Sequence, residues 1–424
     1  MTVHRRVLIV GGLVLAACTR ERGPSFRAAE EVSPGEVGTA PMFAVSPNGT
    51  EAVAWVSAPN GGTDGRLFVR VGGRAPVMLQ DPLGPIEPHG EAPPKLAYSP
   101  DGALNALYVV TKLVPGRRFP AAALRFVRST DGGGNWSDPV TITNDSVFGS
   151  HNFHALYAGS DGTLYASWLD GRTGRSAVFI TRSPDGGKQW MPNLRVAKGE
   201  ACPCCRTAMG SGPNGTLYLA WREVRPGNVR DVVVARSGDH GMSWEPPIRV
   251  HADDWVFDGC PHAGPALQVD AKGSVHVAWW TGKRGGAGVW YARSDDGALT
   301  FSTPIPLGVA DASRPAHVQL ALGKNDRVVA AWDDGTLAVP RVVVRVSRNR
   351  GASWGAPSFL SDTGRAAGFP VVAISRERVA VAWSEQSPAA AAHDDHARMK
   401  DPNFTMPLSA VGAARVLVRR GSLE

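Results

Sequence analysis

Charge is scarce in this chain, and the patterns that would mark a helical, nucleic-acid-binding or membrane-spanning protein are missing. Asp, Glu, Lys and Arg make up only 20% of its 424 residues. No helical heptad pattern runs through them, which excludes a coiled coil or a bundle of long helices. The formal net charge is +7, yet the basic residues are scattered and form no long Lys/Arg block, so there is no nucleic-acid footprint. Neither a phosphate-binding loop nor a serine nucleophile elbow occurs. The N-terminal apolar run, Val7 to Leu15, falls short of the roughly 20 residues that cross a bilayer.

What is abundant is turn and strand chemistry. The 49 Gly, 33 Pro and 13 Trp predict many short strands joined by tight turns, and an all-β repeat fold can use this length as one domain. The N-terminus reads separately, as an export signal. His4, Arg5 and Arg6 precede the apolar run, and Ala16 and Ala17 are the small residues that permit cleavage. Leu15-Ala16-Ala17-Cys18 resembles the lipobox of bacterial lipoproteins. That resemblance implies that Cys18 is acylated, becomes the mature N-terminus and anchors the chain to the membrane of a bacterial cell envelope. An ordinary secretory signal is the alternative. Thr19 stands where an inner-membrane retention signal places Asp, which points to the outer membrane or periplasmic face in a Gram-negative cell.

One short pattern organises the rest: a turn, then six residues later an aromatic that closes a small-apolar strand. It runs from Gly49 to Trp55, Gly102 to Tyr108, Gly162 to Trp168, Gly215 to Trp221, Gly273 to Trp279, Asp326 to Trp332 and Glu377 to Trp383. The turns are typically Pro-Asn-Gly, Pro-Asp-Gly or Ser-Asp-Gly, whose Asn, Asp and Gly tolerate the positive φ of a tight hairpin. A second pattern interleaves with it: Ser129 to Trp136, Ser183 to Trp190 and Ser237 to Trp244, with weaker copies at Ser294 to Phe301, where Ala298 replaces Gly, and Ser347 to Trp354, where Asn349 replaces Asp. These resemble the Asp-boxes of sialidases. In such a box the Ser and Asp side chains hold the turn's own backbone, so Asp131, Asp185, Asp239 and Asp296 are expected to be structural.

Four strands every 50 to 60 residues is the spacing of a propeller blade. The expected fold is all-β, a single β-propeller of four-stranded antiparallel blades. Seven repeats predict seven blades; six, the usual number among sialidase-like proteins, is the alternative. The last repeat lacks a fourth strand, and residues 28–38 are expected to supply it and close the ring. The expected division is 1–18 signal, 19–40 linker with that closing strand, and 41–424 propeller. An insertion at 387–403 carries His393 and His396, read as a solvated polar loop.

A propeller gathers the loops that enter its inner strands around the axis on one face. Those loops carry His89 and Lys95; His151 and His154; Cys202, Cys204, Cys205 and Arg206; Cys260 and His262; Arg314 and His317; and Arg365 with Phe369 and Pro370. The segment Cys202-Pro203-Cys204-Cys205 and the later Cys260-Pro261-His262 should therefore be neighbours. In an exported protein they can form disulfides, Cys202 or Cys204 to Cys260 and a vicinal Cys204–Cys205 bond. They can instead hold a soft metal, copper or zinc, with His262, His151 or His154 as further ligands. Redox chemistry at a reducible disulfide is the third reading.

The sialidase resemblance implies three arginines that hold a substrate carboxylate, a tyrosine nucleophile paired with glutamate, and an aspartate acid/base. The Arg-Ile-Pro signature is absent, with Phe26-Arg27-Ala28 a poor substitute. Arg206, Arg314 and Arg365 are the candidates for a carboxylate clamp by position. Tyr291 is the sole tyrosine after residue 218, so the set is incomplete. Asp170, Glu223, Asp333 and Glu385 recur at one repeat position and read as polar strand ends, with a two-carboxylate hydrolase as the alternative. The sequence thus favours a surface-anchored, sialidase-like propeller whose Cys/His-rich axial site binds a ligand or metal. An exo-alpha-sialidase or related glycoside hydrolase is the alternative, and a structural interaction platform the third. Expected partners are the membrane through the lipid anchor, and a glycan, a small anionic ligand or an envelope protein.

Overall fold

The computed structural model describes residues 24–423 apart from 34–36, 60–63, 118, 311–313 and 388–413. Cys18, His393 and His396 lie outside the described residues. Seven four-stranded antiparallel sheets form the blades, at 38–79, 95–141, 151–195, 200–249, 266–309, 319–359 and 366–422. We number them 1 to 7. Blade 3 shows the unit: strands His151–Ala158, Leu164–Asp170, Ala177–Ser183 and Leu194–Arg195 pair in chain order.

Each second strand is buried on both faces and so reads as a near-continuous apolar run, as in Leu164–Asp170, where every residue is buried. Hydrophobic clusters fill each of the seven interfaces between adjacent blades. At the blade 2–3 interface Leu107, Val109 and Leu124 meet Leu164, Ala166 and Trp168. Truncating the fully buried Trp168 to Ala would cost about 3–5 kcal/mol by the usual behaviour of large core aromatics.

The turns explain the repeat. Gly162 has φ 84° and Gly215 φ 81°, a region in which a Cβ is strained. In the first Asp-box Ser129 Oγ donates to Asp131 Oδ1 at 2.8 Å and accepts from Gly133 N at 2.8 Å, while Asn135 N donates to Asp131 Oδ1 at 2.9 Å. Asp185, Asp239 and Asp296 repeat this arrangement. Asn349 does so with its amide oxygen. These hydrogen bonds hold the Asp131, Asp185, Asp239 and Asp296 carboxyls below the usual carboxylate range.

Blade 7 is closed by the N-terminal segment. Ser25–Phe26 and Glu30–Glu31 pair antiparallel with Ala414–Ser422, Ser25 opposite Ser422 and Glu30 opposite Val418. The closing strand is thus 25–31 rather than the expected 28–38, because Gly38 already begins the inner strand Gly38–Val45 of blade 1. Blade 4 departs from the unit. Its inner strand is split into Glu200–Ala201 and Ala208–Ser211, both paired with Leu217–Arg225, and residues 202–207 loop out opposite only Trp221 and Arg222. That interruption carries three of the cysteines.

Candidate functional site

The looped-out segment turns its thiols inward. Cys202, Cys204 and Cys205 are buried and pack with Cys260, which arrives from the loop entering blade 5. Cys205 Sγ lies 3.5 Å and Cys204 Sγ 3.8 Å from Cys202 Sγ, well beyond the roughly 2.05 Å of a disulfide. None of the four is disulfide-bonded in this structure, so the expected disulfides are not formed in it. The three sulfurs of Cys202, Cys204 and Cys205 lie within 4.8 Å of one another.

Two strand arginines stand behind the cluster. Arg230 donates to Cys202 Sγ at 3.1 Å. Arg222 is pinned by the carbonyls of Arg230, Ala263 and Trp280 at 2.6–2.9 Å, with its guanidinium over the Trp255 ring. Hydrogen bonding from Cys204 and Cys205 draws the Cys202 thiol well below its ordinary range against the opposing effect of burial, and the Arg222 and Arg230 charges add to it. Burial pushes Cys204 and Cys205 the other way. The cluster thus gathers three close sulfurs with the Arg230 guanidinium on Cys202. Neither arginine was singled out from sequence, although a charge inside the apolar runs Leu217–Arg225 and Val229–Ser237 was a readable signal.

In front of the thiols lies a cavity of about 410 Å³. Cys204 and Cys260 line it, with His262, His89 and Phe153 as one wall and His151, Asn152 and Asp170 as another. The His89, Phe153 and His262 rings pack together at 5.5–6.1 Å between centroids. His262, two residues after Cys260, shares this cavity with Cys204 and Cys260. His151 is tied elsewhere: Nδ1 faces Ala122 O at 3.2 Å and Nε2 faces Asp145 at 3.2 Å, with Arg172 bridging Asp145 and Asp170. His154 is fully buried and turns to blade 2, where Nε2 meets Leu107 O at 3.2 Å. Burial and the Lys95 charge hold its imidazole down to about 3. His89 Nδ1 accepts from Glu91 N at 3.2 Å, which leaves its proton on Nε2. A ring in that tautomer is a hydrogen-bond donor rather than a metal ligand.

The axis itself is plugged. Glu91, which sequence reasoning passed over beside His89 and Lys95, is fully buried and accepts from Arg206 N at 3.1 Å, from Gly264 N at 2.6 Å and from the Arg206 guanidinium. The other arm of Arg206 reaches Val318 O of blade 6 at 2.7 Å. Both terminal nitrogens of the Arg206 guanidinium are therefore engaged by the protein. Arg365 lies 3.8 Å from Glu385, and the Arg314 backbone lies against Gly335 at the top of blade 6. Nearby, His317 Nδ1 and Asp333 Oδ2 are 2.6 Å apart. Burial would lower the His317 imidazole, but the Asp333 charge and hydrogen bond raise it overall.

The recurrent carboxylates are occupied as strand-end partners. Asp170 binds Trp168 and Arg172, Glu223 binds Arg225, and Glu385 binds Trp383 and Arg415. Tyr291 is buried with its hydroxyl 2.7 Å from His276 Nδ1, so it has no glutamate partner there.

Residues 162–400 match the BNR repeat-like domain. The chain belongs to that family. As a BNR repeat-like propeller it is sialidase-like in architecture, and solved structures agree on the fold. A Dyadobacter fermentans protein of unknown function is similar over 95% of this chain and 100% of its own, at 17% identity and a TM-score of 0.56. An ulvan lyase is similar over 85% of this chain and 91% of its own, at 12% identity and a TM-score of 0.55. The Penicillium chrysogenum alpha-L-arabinanase is similar over 78% and 96%, at 14% identity and a TM-score of 0.50. No curated protein matches the chain by sequence.

Proposed function

We propose that this BNR repeat-like propeller is a lipid-anchored protein of the bacterial envelope that holds a soft metal ion, copper(I) or zinc, in the thiol cluster of blade 4. The observation that carries the reading is the set of three buried sulfurs within 4.8 Å of one another, with Cys260 packed against them. Soft thiolates select copper(I) and zinc over hard cations. Three thiolates serve trigonal copper(I), and Cys260 or His262 offers the fourth ligand that tetrahedral zinc requires. The guanidinium groups of Arg222 and Arg230 offset the negative charge that a deprotonated cluster accumulates, which a buried site needs.

Sialic acid cleavage is the weaker reading, because Arg206 already spends its guanidinium on Glu91 and Val318 O. The test is metal content and free thiols measured on one sample of the mature protein, purified from its native envelope without chelator. Stoichiometric copper or zinc is expected, with the cysteines reacting fully only after the metal is stripped. Absence of metal together with absence of free thiol sinks the proposal, assigns the cysteines to disulfides and directs the work to a sialoside-cleavage assay.

A further inference from the structure

The four thiols are not equally reachable. Cys202, Cys204 and Cys205 are buried at 0%, 4% and 1% exposure, with Cys202 against Arg230, and Cys260 is the half-buried member of the four. Cys204 and Cys260 border the cavity. The far side is shut: Arg222 is locked by three backbone carbonyls and covered by Trp255, and Cys202 N is bonded to Arg222 O at 2.8 Å. A bound ion in this cluster has one open flank. The space there, about 410 Å³, lies at the small end of ligand-sized pockets and admits a group of amino-acid or small-peptide size. Pro88, Pro120, Pro203, Phe119 and Phe153 supply apolar surface to its lining.

We infer that the cluster exchanges its metal from one side, through this cavity, by direct ligand substitution with a low-molecular-weight thiol. Cys204 and Cys260 are the hand-over pair and Cys202 and Cys205 the retaining pair. The inference rests on the metal reading above. In the exchange step an incoming thiolate bonds to the metal as a Cys204 or Cys260 sulfur leaves. The incoming thiol's proton passes to the departing sulfur, so charge and protons balance and no electron moves. His89, held as the Nε2–H tautomer, stands in the cavity wall as a donor for the carboxylate of a cysteine-like ligand.

The experiment loads the full mature protein with copper(I) alone and records stoichiometry first. It then follows copper loss to free cysteine and, separately, to bathocuproine disulfonate. The expected result is loss to cysteine at a rate rising linearly with thiol concentration, and slow, concentration-independent loss to the bulky chelator. Ser176 also lines the cavity, and filling the space by Ser176→Trp should slow transfer to cysteine about ten-fold or more without changing stoichiometry. Cys260→Ser should slow transfer, whereas Cys205→Ser should weaken retention. Stoichiometric copper that leaves at one rate to both acceptors, whatever the thiol concentration, overturns the one-sided exchange while leaving the metal reading intact. Failure to bind copper overturns both. If Ser176→Trp does not fold, the comparison of acceptors on the unaltered protein still decides.

Discussion

Lys95 is buried where the inner strand of blade 2 begins. Burial and the Arg206 charge, only partly opposed by Glu91, lower its ammonium to about 7. An unfolded lysine keeps its proton to about pH 10.4. Between those values the unfolded chain binds more protons than the folded one, so stability rises with pH from about 7 to 10. Lys95→Met should therefore stabilise the protein at pH 7, by up to ~4 kcal/mol, and the gain should fade toward pH 10. Urea unfolding at the two pH values checks this. A variant that is less stable at pH 7 would show that the ammonium has a use in the fold. Glu91→Gln should act in the opposite direction, costing about 3–5 kcal/mol, because it strips the buried Arg206 of its counter-charge.

At the scale of strands and turns, the two glycine positions of the repeat should respond differently to the same change. Gly162 has φ 84° and open space where a Cβ would stand, so Gly162→Ala should cost about 1 kcal/mol from backbone strain alone. Gly187, in the second Asp-box, has φ 88°, and a Cβ there would collide with the Phe126 ring of the preceding blade. Gly187→Ala should cost about 2–4 kcal/mol, the strain plus overpacking. Thermal melts of the two variants separate the contributions. Equal losses would mean that the blade yields at that contact.

This is also the scale at which the sequence was most legible. A Gly turn and a Trp six residues later are local chemistry, and every copy became a hairpin. The break in the blade 4 inner strand was not legible, since it depends on which residues of Leu217–Arg225 the flanking halves choose as partners. The same holds for the site. Its cysteines could be gathered from repeat position alone, but the roles of Arg222, Arg230 and Glu91 arise from contacts between segments up to 173 residues apart. The separation of His154 from the thiols follows from a hydrogen bond to Leu107 O on the neighbouring blade, which no periodicity encodes.

For the whole ring, the seam lies in blade 7, where Glu30 also pairs with Arg70 and Arg420. Deleting residues 24–31 should unpair the edge of Ala414–Ser422 and lower the melting temperature by roughly 1 °C for each ~1 kcal/mol of lost pairing. Glu30→Gln, which removes its two surface ion pairs with Arg70 and Arg420, should cost about 1–2 kcal/mol at most. If the deletion melts like the parent, the seam contributes little to closure. The segment that shuts the ring, Ser25–Phe26 with Glu30–Glu31, precedes the strands of blades 1 to 6 in the sequence, so tension applied on its N-terminal side acts on the seam before it reaches another blade. Pulling would unzip the seven-bladed ring at a single predetermined place, as a mechanical fuse does.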